Sequence, residues 1–189
     1  MHPGINGPKY GDKPAIIMAS SGEVVTHQEL NEISNQGANL FRSLGIKAGD
    51  SIAFMMENDK LFFPIAAAAY RSGLKYTAIS WRLQPSEVEY IVKDCGAKIF
   101  ITSKFLEESA EALTSTIPDV KKLMINGESK NYRSFEKAIE NMPKTPIDDE
   151  YQGVSMLYSS GTTGKPKGVS REVKFSPLPY TTDEEDLGL

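Results

Sequence analysis

The twelve residues Tyr158-Ser159-Ser160-Gly161-Thr162-Thr163-Gly164-Lys165-Pro166-Lys167-Gly168-Val169 hold four serine and threonine hydroxyls, three glycines and two lysines. Glycines let a backbone turn tightly and come close to a ligand, because they carry no Cβ. Successive backbone N–H groups in such a turn form an anion-binding concavity. The hydroxyls add short donors, and the lysines add positive point charge. Together these types suit a cradle for phosphate oxygens. The spacing excludes two common phosphate motifs. In G-x-x-x-x-G-K-[ST] a helix follows at once, but here Gly161 and Gly164 are three apart and Lys165 precedes Pro166. A proline there resists helical continuation. The dinucleotide pattern G-x-G-x-x-G is not met either. By composition alone, the stretch also reads as a Ser/Thr/Gly-rich surface turn.

The elements around this stretch alternate. Val154 to Tyr158 is expected as the strand delivering the loop, and Gly168 to Phe175 as the strand leading away. Upstream, His2 to Pro14 reads as a Gly- and Pro-rich surface arm. Ala15 to Met18 and Val24-Val25 read as a short hairpin. Thr26 and Glu29 form a capping box, so a helix is expected from His27. Its core face would carry Leu30, Ile33, Gly37, Phe41 and Leu44, and Gly45 would close it. Strands are expected at 51–56, 76–79, 98–102 and 122–125. Helices are expected at 60–72, 85–94, 105–113 and 134–141. Met142 to Glu150, with two prolines and three consecutive acids, reads as a linker or surface crossing. Strand–helix alternation with continuously apolar strands predicts an α/β fold, a mostly parallel sheet flanked by helices.

The totals narrow the classes. The chain has 189 residues, 40% apolar and 24% charged, with a formal net charge of -4. That is enough for a sizeable core and gives no case for nucleic-acid binding. Cys95 is the single cysteine, so no internal disulfide forms, which fits a reducing cytoplasm. Cys95 reads as a small buried filler and His27 as an exposed first-turn residue. The apolar run Leu61 to Tyr70 is about half the length of a membrane span. That leaves room only for peripheral membrane contact. The Phe62-Phe63 pair reads as core.

The twelve-residue stretch resembles, without a break, the phosphate-binding signature of the adenylate-forming (AMP-binding) enzymes: acyl- and aryl-CoA synthetases, peptide-synthetase adenylation domains and luciferases. Looser likenesses follow in family order. They are Thr26 to Leu30, Gly45 to Asp50, Ser80 to Glu87 and Asp94 to Lys98. A histidine common a few residues after the Gly-Val pair is replaced here by Ser170-Arg171-Glu172-Val173, which puts the subgroup in doubt.

The resemblance implies an acyl-CoA synthetase. A carboxylate attacks the α-phosphorus of ATP, giving acyl-adenylate and pyrophosphate, and coenzyme A then displaces AMP. Mg²⁺ accompanies ATP. It implies that Thr162, Thr163, Gly164 and Lys165 hold the β- and γ-phosphates, while Ser159, Ser160 and Gly161 shape the turn. Lys167 either joins them or anchors the loop to an acid. Arg82 either contacts a coenzyme A phosphate or stacks on Trp81 at the surface. Tyr158 is expected to pack. Residues 1–150 would form the first α/β subdomain and 151–189 the start of the next. Family enzymes carry the acid pocket, the ribose- and magnesium-holding acids and the catalytic lysine beyond this loop. The chain is therefore expected to be a truncated N-terminal portion, inactive alone, of an enzyme acting on a fatty or aryl acid. The competing expectation is a stand-alone phosphate-binding or interaction module.

Overall fold

The computed structural model describes residues 2–159 and 166–173. The order of elements begins with helix α1 (Pro3–Tyr10), the hairpin β1 (Pro14–Ile17) and β2 (Val24–Thr26), and helix α2 (His27–Ser43). Next come β3 (Ser51–Met55), α3 (Phe62–Arg71), β4 (Lys75–Ile79), α4 (Pro85–Asp94) and β5 (Ala97–Ser103). A 3-10 turn then leads into α5 (Glu107–Leu113), followed by β6 (Lys121–Ile125), β7 (Arg133–Ser134) and α6 (Phe135–Ile139). The last described elements are β8 (Val154–Ser159) and β9 (Lys167–Ser170).

Seven strands form one sheet in the order β7-β6-β5-β3-β4-β8-β9. Every neighbouring pair is parallel except β8 and β9, which are antiparallel. All of β3 is buried, because helices cover both faces. Its alternating side chains feed two cores. Ile52 and Phe54 pack with Leu40, Phe41, Ile65, Ala68 and Phe135 on the side of α2, α3 and α6. Ala53 and Met55 pack with Val88, Ile91, Ala110 and Leu113 on the side of α4 and α5. The crossover after β3 runs to β4, whereas that after β5 runs the other way, to β6. The carboxyl ends of β3 and β5 therefore open between diverging connections, the usual ligand crevice of open α/β sheets.

Most expected elements are present within a residue or two. Thr26 Oγ1 accepts from the Glu29 amide at 3.1 Å, and Glu29 Oε2 accepts from the Thr26 amide at 2.8 Å, completing the capping box. Gly45 and Gly96 take φ of 80° and 64°, ending α2 and α4 in the left-handed conformation. On the α2 face, Gly37 brings the helix so near α3 that a Cβ there would stand 2.7 Å from Ala68 Cβ.

Three expectations are corrected. The arm His2 to Pro14 contains α1, with His2, Pro3, Asn6 and Gly7 buried. Pro3 starts the helix, and His2 caps it by accepting from the Gly4 amide at 3.1 Å. The buried face against α2 outweighs the helix-breaking composition. His27 is half-buried rather than exposed, its ring 5.1 Å from that of Tyr10. Phe62 joins the core but Phe63 is exposed. Met142 to Glu150 is a largely exposed crossing without helix or strand, as its sequence suggests, and it is anchored to α2. Asn35 and Asn39 of α2 donate to the carbonyls of Lys144, Pro143 and Thr145, and Arg42 pairs with Asp149 at 2.9 Å.

Candidate functional site

Strand β8 joins the sheet through only two pairs, Lys75↔Val154 and Tyr76↔Ser155. Beyond them its partner is β9, through Met156↔Ser170, Leu157↔Val169, Tyr158↔Gly168 and Ser159↔Lys167. The hairpin thus continues past the edge of β4. Its last described pair is Ser159 and Lys167, which flank in sequence the expected phosphate-binding residues Ser160, Gly161, Thr162, Thr163, Gly164 and Lys165. Those six residues lie outside the described residues. Ser159 and Lys167 are both exposed, and Lys167 has no acidic partner among the described residues.

Tyr158 fixes the arm. Its hydroxyl donates to Asp94 Oδ2 of α4 at 2.5 Å. Burial, reinforced by Asp94, pushes the phenol well above its ordinary value, so it stays protonated and neutral. The ring lies over Gly168, where an added Cβ would stand 2.9 Å from it. The third glycine of the motif therefore makes room for a tyrosine. Spacing alone had suggested only ligand approach.

Because β8 runs parallel to β4, the carboxyl end of β8 and the residues after β4 share the carboxyl edge of the sheet. There Trp81 and Arg82 are exposed, with the Arg82 guanidinium 5.3 Å from the Trp81 ring centre. Phe105, just after β5, meets Trp81 edge to face at 6.2 Å and is 71% exposed. Next to them Ser103 Oγ donates to Glu57 Oε2 at 2.5 Å. Phe105 and Glu57 were missed in the sequence, since 24 and 48 residues separate them from Trp81 and Phe105 respectively. The available signal was that all three follow strands read as parallel, which places their loops at one edge.

Several groups carry no chemistry here. Cys95 caps the end of α4, and burial pushes its thiol up, away from the reactive thiolate. Among the described residues no cluster of three or more His, Cys, Asp or Glu could hold a metal ion. No helix among them is long and apolar enough to cross a membrane.

The described architecture is an open, mostly parallel α/β sheet that ends in the antiparallel pair β8–β9. The chain belongs to the AMP-binding enzyme family, whose model matches residues 6–174. It is 30% identical over 166 residues to 4-coumarate–CoA ligase 2 of Petroselinum crispum, covering 85% of this chain and 30% of that protein. It is 28% identical over 157 residues to the fatty acid–[acyl-carrier-protein] ligase ScoC of Streptomyces coeruleorubidus, covering 82% and 29%. The anthranilate CoA ligase AuaEII, solved with anthranoyl-AMP, shares the fold with a TM-score of 0.79 at 24% identity, over 89% of this chain and 34% of that one. The chain spans about a third of the length of these relatives.

Proposed function

We propose that this chain is the N-terminal part of an ATP-dependent acyl-CoA synthetase of the cytoplasm, converting a carboxylic acid, ATP and coenzyme A to acyl-CoA, AMP and pyrophosphate through an acyl-adenylate. The observation that supports this reading is the β8–β9 pair, whose last described residues, Ser159 and Lys167, flank the Gly-rich sequence. In the first step, negative charge accumulates on the phosphates, and positioned donors do most of the work. Thr162, Thr163, Gly164 and Lys165 hold the β- and γ-phosphates. Ser159, Ser160 and Gly161 set the turn, and Lys167 adds charge at its mouth. Mg²⁺ arrives on the triphosphate and neutralises it further. Arg82 contacts a phosphate of coenzyme A, with Trp81 and Phe105 offering flat faces to its purine.

The same reading divides the chain into a first subdomain, 1–150, and the start of a second, 151–189. The acid, fatty or aryl, is recognised by residues beyond those present, as is the adenylating machinery. The chain alone is therefore inactive. ATP–pyrophosphate exchange over a panel of fatty and aryl acids tests this: background exchange is expected, and exchange above background would refute it. Titration calorimetry with ATP–Mg²⁺ adds a second readout. Micromolar binding by the chain alone would favour the stand-alone module instead.

A further inference from the structure

Four segments converge on the fully buried Arg71 of α3. Its Nε donates to Glu150 Oε1 at 2.5 Å, on the connector four residues before β8. Its Nη1 donates to Ser34 Oγ at 2.8 Å and to the Asn31 carbonyl at 3.2 Å, both on α2. The fourth segment is the start of the chain. His2 is 7% exposed, its ring 6.0 Å from that of Tyr70, the residue before Arg71. Gly7 of α1 packs so closely on Asn31 that a Cβ would stand 2.8 Å from the Asn31 Cβ. Tyr70 also accepts, through its carbonyl, from the Gly153 amide at 2.6 Å. The cluster therefore joins α1 to the root of the strand that carries the hairpin.

His2 makes this junction sensitive to its protonation. Its Nδ1 caps α1 by accepting from the Gly4 amide, which only the neutral ring can do. The charged groups facing it are Arg71 of α3, Glu150 of the connector and the chain's own amino group. The α2 residues that bond Arg71, Asn31 and Ser34, are uncharged. Charging His2 would remove the cap acceptor and set a second cation beside Arg71.

We propose that α1 is an acid-releasable clasp: protonation of His2 undocks residues 2–10 from the Arg71–Glu150 pair and loosens the connector into β8, while the central sheet stays folded. Burial first, then Arg71, lowers His2 from its ordinary 6.5 to about 4, so the docked form holds it neutral. In the undocked form it charges near 6.5. Between these values the open form binds more protons, and docking weakens about tenfold per pH unit as pH falls. Docking is unaffected above 6.5, and the loss is complete below about 4.

Hydrogen exchange of the full chain from pH 7 to pH 4, corrected for intrinsic rates, tests this. The Asn6 and Gly11 amides, bonded to His2 and Gly7 carbonyls, should lose protection about tenfold per pH unit. The Gly153 amide should follow them, and the Ile52 and Phe54 amides of β3 should not. His2→Asn retains a cap acceptor but cannot charge, so its α1 protection should be flat with pH. The proposal fails if wild-type α1 protection is flat, if His2→Asn loses it equally, or if β3 opens in step with α1.

Discussion

The Tyr158 hydroxyl and the Asp94 carboxylate meet at 2.5 Å, tying the strand that presents the Gly-rich turn to the end of α4. The two residues are 64 apart in the chain. Their contact adds to the two β4–β8 pairs and to the packing of Met156 and Tyr158 on the core. Tyr158→Phe keeps the ring and removes the bond, and should cost about 1 kcal/mol in urea unfolding. In wild-type protein the Tyr158 phenol should remain protonated through pH 10, followed by ultraviolet difference absorbance against Tyr158→Phe. A phenol titrating at its ordinary value would contradict the burial assigned here.

Gly168→Ala places a methyl against the Tyr158 ring. The ring must move, and the contact with Asp94 goes with it. The expected result is a loss of about 1–3 kcal/mol, as for overpacking elsewhere. In a longer protein containing this region, adenylate formation should fall as well. The added Cβ would also collide with Met156 Cε, so that side chain must shift too; an unchanged unfolding midpoint would show that both give way freely.

Arg71 and Glu150 form the buried ion pair of the described residues, with side chains 0% and 7% exposed. Arg71→Met leaves Glu150 buried without its partner, which costs about 3–5 kcal/mol. The double change Arg71→Met with Glu150→Leu should be much milder, because neither charge is then stranded. Thermal or urea unfolding of the three proteins measures the difference. Equal losses in single and double variants would show that packing, rather than charge, dominates.

Thr26→Ala removes the side-chain half of the capping box at α2, the acceptor of the Glu29 amide, while the backbone amide of residue 26 still donates to Glu29. A loss of about 1 kcal/mol is expected. That lowers the melting temperature by about 2–4 °C for a chain of this size. Calorimetry gives the value directly.

Thr163→Ala and Lys165→Ala, made in a longer protein that contains this region, should each lower acyl-adenylate formation while leaving the unfolding transition unchanged. A pyrophosphate-exchange assay reports the rate. Unaltered rates would remove both residues from phosphate binding.

Much was legible because local rules decide it. The capping box at Thr26 and the stops at Gly45 and Gly96 are set by short-range hydrogen bonds and backbone sterics. The parallel sheet followed from strands apolar on both faces alternating with helices. The twelve-residue motif likewise carries the family resemblance in its local sequence alone. What the sequence could not reveal is where distant loops meet. α1 exists because a Gly- and Pro-rich segment finds a buried face beside Arg71, a tertiary gain that overrides weak helix propensity. The placing of Phe105 against Trp81, of Asp94 against Tyr158 and of Glu150 against Arg71 depends on strand order. A strand's neighbour is a long-range choice, made by the direction of each crossover and the packing of helices over both faces, and no periodicity within a segment records it.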